Sequence, residues 1–140
     1  ILHLCGKGHL DNSWKDTEGY AQFEYANKEL SDMFALADIV ISRAGANAIC
    51  ELLALRKPNI LIPLSANASR GDQILNARSF ERQGFSIVIE EEHLNNIVLL
   101  DAIQKLFQNR SSYVDAMAQS EQLNSVEKVV QLLEQAVAQN

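Results

Sequence analysis

The sequence predicts an α/β fold in which parallel strands alternate with helices. Short apolar runs, typical of strands buried on both faces, recur along the first 90 residues, and longer segments of helical periodicity separate them. Of the 140 residues, 47% are hydrophobic and 21% are charged. This balance suits one globular domain with a substantial core, so we predict a single domain over residues 1–140.

Five apolar runs are predicted to be strands: ILHLC (1–5), QFEY (22–25), DIVIS (38–42), NILIPL (59–64) and FSIVIE (85–90). Helices are predicted at 32–37, 46–56, 72–83, 94–108, 111–120 and 124–138. Ser31 is the predicted cap of the first helix, Pro58 ends the second, and Gly84 suits a left-handed end of the third. The polar segment 7–19 is predicted to be a surface loop.

The composition argues against several classes of protein. No apolar run approaches the roughly 20 residues that cross a bilayer, and the start of the chain lacks the pattern of a signal peptide. Cys5 and Cys50 have neither disulfide-framework nor zinc-ligand spacing, so we expect a reducing cytoplasm and no metal. The net charge of −6 has the wrong sign for nucleic-acid binding.

The charge is unevenly distributed along the chain. Residues 43–82 carry six basic and three acidic side chains, whereas the segments on either side are acidic. Both prolines, two glycines and four asparagines fall in the same stretch, which suits a loop-built site for a small anion. Chance clustering is the alternative interpretation.

The first candidate motif is SRAGANAICE, residues 42–51, where a strand is followed by a helix. We expect Gly45 to allow a sharp turn and the helix to begin near Ala46, with small side chains that leave its N–H groups open. Such a helix end attracts phosphate or another anion. Alternatively, Gly45 only closes a strand-to-helix turn.

Glu51 is the candidate ligand-binding side chain of this motif. It is expected on the same helix face as Asn47 and Ala48, about one turn into the helix. A carboxylate repels phosphate but accepts two hydrogen bonds from a ribose diol, as acidic residues do in nucleotide-binding sheets. Alternatively, Glu51 is ordinary solvated helix surface.

The second candidate motif is PLSANASRGDQILNA, residues 63–77, again a strand end, a polar loop and a helix start. Gln73 and Asn76 lie near the front of that helix, where amide side chains can bind sugar hydroxyls. Asp72 is either part of the site or a first-turn acid that complements the helix dipole. Arg70 either meets a phosphate or solvates the loop.

The histidines show no catalytic pattern. His3 is predicted to be a core residue of the first strand, and the acidic run Glu90–Glu92 before His93 is predicted to be solvated surface. The sequence has no Walker phosphate loop, no G-x-S-x-G, no H-E-x-x-H and no G-x-G-x-x-G.

Taken together, SRAGANAICELLALRKPNILIPL and SRGDQILNA resemble the carboxyl-terminal domain of the MurG family of bacterial transferases. The resemblance extends from ILHLCGKG to the last helix. It implies a Rossmann-like parallel sheet with helices on both faces, the carboxyl-terminal half of a GT-B glycosyltransferase. Such an enzyme is an inverting, metal-independent hexosyltransferase of peptidoglycan synthesis, which transfers GlcNAc from UDP-GlcNAc to lipid I and forms lipid II without a cofactor.

The resemblance also implies roles for individual residues. Glu51 matches the residue that holds the ribose hydroxyls, and Gln73 matches the amide that contacts the GlcNAc hydroxyls. The backbone near Asn27 matches the segment that pairs with uracil. The other implied substrate-binding residues are Gly45, Ala46, Asn47 and Ala48 beside the diphosphate, and Asp72 beside Gln73.

In the MurG family, the domain opens with a strand and a Gly-Gly-Ser loop that this sequence does not contain. The amino-terminal domain, which binds the lipid acceptor and carries the general base, is also not contained in it. We therefore expect a partial domain that lacks its first strand, has no catalytic residue of its own, and can self-associate. The resemblance places the whole enzyme on the cytoplasmic face of the cell membrane as a peripheral protein.

Three functions fit these observations. The first is donor binding in the UDP-GlcNAc transferase described above. The second is another GT-B sugar-nucleotide enzyme, such as a UDP-GlcNAc 2-epimerase. The third is a non-catalytic nucleotide-binding subunit of a two-chain transferase.

Overall fold

A computed structural model describes residues 1–68 and 70–120, which form two compact units. The first unit covers Ile1–Ala37 and the second begins at Asp38. All the described strand pairs are parallel and the strands alternate with helices, which confirms the predicted α/β class. The helix predicted over 124–138 lies outside the described residues.

The first unit contains a two-stranded sheet. Its elements are β1 (Leu2–Leu4), a 3₁₀ turn (Asn12–Trp14), β2 (Ala21–Phe23) and α1 (Leu30–Leu36). His3 pairs with Gln22 at the centre of the two strands. Residues 7–19 are exposed, as predicted for a surface loop.

Two predictions for this unit are wrong. Ser31 does not cap α1, because the helix begins at Leu30 and Ser31 already lies in its first turn, where its Oγ donates to the carbonyl of Lys28 (3.3 Å). His3 is exposed rather than part of a core, because β1 buries none of its three residues. Its Nδ1 lies 2.7 Å from the Tyr20 hydroxyl oxygen, so the polar ring is hydrogen-bonded at the surface.

The second unit contains a three-stranded sheet in the order β3-β4-β5. Its elements are β3 (Val40–Ser42), α2 (Ala46–Ala54), β4 (Asn59–Leu61), α3 (Asp72–Arg82), β5 (Ser86–Val88), a second 3₁₀ turn (Glu91–His93), α4 (Asn96–Gln108) and α5 (Arg110–Ala118). Ile41, Ile60 and Ile87 stand in register across the sheet. The described chain after Glu90 is helical and contains no strand, as predicted.

Helices α2 and α3 end in the same way. After α3, Gly84 has a φ of +74°, and the N–H of Phe85 donates to the carbonyl of Phe80 (3.0 Å). After α2, Arg56 has a φ of +50°, and the N–H of Lys57 donates to the carbonyl of Leu52 (2.9 Å). Both are Schellman ends, so the predicted left-handed end at Gly84 is confirmed, and an arginine takes the equivalent position after α2.

The core of the second unit is built around the central strand β4, which is buried along its length. The cluster that packs on it consists of Ile60, Ile62, Ile89, Ala102 and Leu106. Asn59 is the polar residue of this strand. Its Oδ1 accepts a hydrogen bond from the buried Ser86 hydroxyl (2.6 Å), and its Nδ2 donates to the carbonyls of Lys57 and Phe85. These bonds join β4 to β5 at the beginning of the two strands.

Candidate functional site

The first motif joins β3 to α2 through residues 43–45. Gly45 has φ −65° and ψ 143°, an extended conformation open to any residue, so the sharp-turn role predicted for this glycine is wrong. A Cβ at Gly45 would have no atom within 4 Å. The missing side chain therefore leaves open space at the start of the helix, where another molecule can approach the backbone.

The first turn of α2 presents its backbone to this open space. The helix begins at Ala46 without a side-chain cap, and the first turn contains only small side chains, those of Ala46, Asn47 and Ala48. Their N–H groups have no acceptor within the helix, as at every helix start. Because the helix dipole adds partial positive charge there, the arrangement can hold an anion.

Glu51 lies one turn further along α2 and is exposed. The opposite face of the helix buries Ile49, Leu52 and Leu53, as the periodicity predicts. Within the described parts of the chain, the Glu51 carboxylate forms no salt bridge. Its position therefore suits a hydrogen-bond acceptor for a ligand that lies along the start of α2.

The second motif begins after β4 and leads into α3. The side-chain oxygen of Gln73 accepts a hydrogen bond from the N–H of Leu64 (3.1 Å), so this amide holds the loop that follows the strand. This bond uses the oxygen of the amide and neither of its N–H donors. Asp72 is exposed in the first turn of α3, where a carboxylate complements the helix dipole.

Asn76 connects the two motifs. Its Nδ2 donates to the carbonyl of Ala44 at 3.2 Å, directly before Gly45. The side chain of Asn76 thus holds the loop of the first motif, and its predicted sugar contact stays a prediction. The structure thus brings Gln73 and the start of α2 into one loop cluster at the carboxyl end of the second sheet, where parallel sheets place their ligands.

Arg43 and Glu91 form an ion pair in this cluster that the sequence analysis missed. Nη2 of Arg43 lies 2.8 Å from Oε1 of Glu91, and Nη1 donates to the carbonyl of Ile62 (3.2 Å). Oε2 of Glu91 accepts a hydrogen bond from the N–H of Ser65 (3.2 Å). The hydrogen bond from Arg43, followed by that from Ser65, holds the pKa of Glu91 below its usual value.

The prediction that residues 90–92 are solvated surface missed the ion pairs of two of the three glutamates, which are partly exposed. Glu91 pairs with Arg43, and Glu90 pairs with Arg78. No spacing in the sequence marks these pairs, because Arg43 and Glu91 are 48 residues apart and meet only when β3 and β5 flank β4.

Asn27, the predicted uracil contact, lies in the first unit. Its N–H donates to the carboxylate of Glu29 (3.3 Å), and its carbonyl accepts from the N–H of Leu30 (3.3 Å). The backbone groups of this residue thus already have partners within the turn that leads into α1. The uracil contact stays a prediction.

Residues 1–68 and 70–120 contain no group of three His, Cys, Asp or Glu side chains placed to hold a metal ion. In the same residues, no helix is both long enough and apolar enough to cross a bilayer.

The sequence profile of the glycosyltransferase family 28 C-terminal domain matches residues 1–133. The chain belongs to this family. The family match confirms the predicted Rossmann-like fold. The resemblance to MurG transferases is confirmed by similar relatives of this domain. Their name is UDP-N-acetylglucosamine--N-acetylmuramyl-(pentapeptide) pyrophosphoryl-undecaprenol N-acetylglucosamine transferase.

Three of these relatives come from Lachnoclostridium phytofermentans, Lachnospira eligens and Clostridium perfringens. The family 28 domain is 62% identical to the relative from Lachnoclostridium phytofermentans, over 96% of its own length. It is 58% identical to the relatives from Lachnospira eligens and Clostridium perfringens, over 95% and 97% of its length. In each case the chain spans about 38% of the relative's length.

Proposed function

We propose that this chain is the donor-binding part of a glycosyltransferase of peptidoglycan synthesis. The enzyme would transfer GlcNAc from UDP-GlcNAc to lipid I, in agreement with the names of its relatives. The observation that carries the proposal is the family match over residues 1–133, together with relatives up to 62% identical over almost the whole chain. The loop cluster of the second sheet supplies the chemistry that a sugar nucleotide needs.

The start of α2 would bind the diphosphate. Ala46, Asn47 and Ala48 offer N–H groups at the positive end of the helix dipole, and Gly45 leaves room for the phosphates to approach them. In the transfer step, the bond between the sugar and UDP breaks and negative charge develops on the leaving diphosphate. Fixed N–H dipoles that meet this charge lower the barrier without reorganising.

Glu51 would hold the ribose. A carboxylate accepts hydrogen bonds from both hydroxyls of a diol, and its place one turn beyond the N–H groups separates it from the phosphates. Gln73 would bind the GlcNAc hydroxyls through its side-chain N–H groups while its oxygen stays on Leu64. Asp72 lies beside Gln73 in the same first turn, and the backbone near Asn27 remains the proposed contact of uracil.

The remaining functions would belong to other parts of the whole enzyme. We propose that they supply the general base, bind lipid I and contact the cytoplasmic face of the membrane. Self-association of the isolated chain is a further proposal. The donor half needs no metal in this scheme, because helix N–H groups face the developing charge.

Calorimetric titration of the full-length enzyme with UDP-GlcNAc, UDP-glucose and UDP tests donor binding. We expect binding of UDP-GlcNAc and UDP. An assay of GlcNAc transfer to lipid I then separates the transferase from its alternatives. Nucleotide binding without transfer or epimerisation would indicate a non-catalytic nucleotide-binding subunit, and conversion of UDP-GlcNAc to its epimer without transfer would indicate an epimerase.

A further inference from the structure

We propose that Glu91 is a positioning residue of the donor site, which holds the loops of both motifs without contacting the donor. This inference rests on the proposed function. Glu91 follows β5, and its carboxylate contacts the segments that follow the other two strands, Arg43 after β3 and Ser65 after β4. The three carboxyl ends of the second sheet are thereby tied together by one side chain.

The first connection leads to the start of α2. Arg43 follows β3 directly and lies two residues before Gly45. Its guanidinium donates one hydrogen bond to Glu91 and another to the carbonyl of Ile62. The two bonds hold the charged, planar group in a fixed orientation. Removal of the Glu91 carboxylate breaks the bond to Nη2 of Arg43 and leaves only the bond to Ile62, which allows residues 43–45 to shift.

The second connection leads to Gln73. Oε2 of Glu91 accepts from the N–H of Ser65, and Oε1 of Gln73 accepts from the N–H of Leu64 (3.2 and 3.1 Å). The neighbouring N–H groups of Leu64 and Ser65 are thus fixed by two different side chains. The amide comes from α3, and the carboxylate comes from the segment after β5. A change at Glu91 therefore alters the support of the loop that Gln73 also holds.

The exposure of the pair argues for positioning rather than stability. The side chains of Arg43 and Glu91 are 48% and 36% exposed. Exposed ion pairs contribute little to folding, because water screens the charges and the ordering of two long side chains opposes the attraction. Geometry at a transfer site is more sensitive, since small displacements of binding groups change rates by large factors.

The test compares Glu91→Ala with Glu92→Ala in the full-length enzyme. Glu92 is the neighbouring glutamate in the same 3₁₀ turn and is exposed, so it controls for the loss of one negative charge. Initial rates are measured at varied UDP-GlcNAc and saturating lipid I, and the melting temperature is measured for each protein. For Glu91→Ala we expect KM for UDP-GlcNAc to rise about tenfold, kcat to fall less, and the melting temperature to match that of Glu92→Ala.

The conservative variant Glu91→Gln supplies a second measurement. Its amide keeps one acceptor oxygen in nearly the same place, so we expect KM between those of wild type and Glu91→Ala. A KM for Glu91→Ala equal to that of Glu92→Ala overturns the inference, and so does a fall in kcat and melting temperature at unchanged KM. These outcomes leave the proposed function intact, whereas a wild-type enzyme that neither binds nor transfers GlcNAc rejects both.

Discussion

The side-chain amide of Asn76 donates to the carbonyl of Ala44, 3.2 Å away, and so ties α3 to the loop before α2. The two residues are 32 positions apart and belong to the two motifs that resemble the donor-binding segments of MurG transferases. This bond makes the motifs one structural unit, so a substitution in either one is expected to influence the other.

Replacement of Glu51 by alanine is expected to weaken UDP-GlcNAc binding by about 1.5–3 kcal/mol, because hydrogen bonds to a charged acceptor are lost. Folding stability should remain unchanged, since the side chain is exposed on α2. Titration calorimetry and thermal unfolding of the full-length enzyme measure the two quantities. Asp101→Ala is the control, because it removes an exposed helical carboxylate from α4. Equal donor affinity in the two variants would show that Glu51 is ordinary helix surface with no role in donor binding.

Substitution of Gln73 is expected to change sugar selectivity. If its N–H groups bind GlcNAc hydroxyls, Gln73→Ala should narrow the preference for UDP-GlcNAc over UDP-GalNAc, measured as the ratio of kcat/KM values. Gln73→Glu separates this role from loop support, because its carboxylate still accepts from Leu64 but donates no hydrogen bond. An unchanged ratio in both variants would contradict the role in selectivity.

The isolated chain is expected not to bind vesicles of anionic phospholipid at physiological salt. Its net charge is −6, so an anionic surface repels the chain as a whole. Cosedimentation with anionic and with zwitterionic vesicles measures this, with the full-length enzyme as the comparison. If the chain sediments with anionic vesicles but not with zwitterionic vesicles, this part of the enzyme contacts the membrane.

The two Schellman ends provide a matched pair of stability experiments. Gly84→Ala should lower the free energy of unfolding by about 1 kcal/mol, because a residue with a Cβ is strained at a φ of +74°. The added methyl would meet the Cβ of Ala116 at an ordinary 3.7 Å, so the conformation and not crowding is responsible. Denaturant unfolding checks this value.

Arg56→Gly is the reciprocal change. Arg56 already has a positive φ, so glycine should relieve strain and leave the free energy of unfolding unchanged or raise it by up to about 1 kcal/mol. A loss of stability in Arg56→Gly as large as that in Gly84→Ala would show that backbone strain does not distinguish the two positions.

The sequence alone determined the features that depend on neighbouring residues. Each of the five predicted strands overlaps an observed strand, although β2 begins at Ala21, one residue before its predicted start, and β1 is exposed. Short apolar runs favour strands through the order of neighbouring residues alone. The end of α3 was also predictable, because Gly84 permits a positive φ locally, whereas α2 ends at Ala54, two residues before its predicted end, with Arg56 at positive φ. The resemblance to MurG transferases rested on the same kind of information, the order of residues in two short motifs.

Tertiary structure alone decided which side chains support the site. Arg43 meets Glu91 across 48 residues, and Asn76 meets Ala44 across 32. Such pairs produce no periodic or local pattern in the sequence, because a polar side chain is compatible with the surface whether or not it has a partner. The exposure of His3 was likewise unpredictable, since an apolar run shows that a strand is favoured but not how much of it the rest of the chain covers. Hydrogen bonds between distant residues exist only after packing has fixed the distance and angle between donor and acceptor.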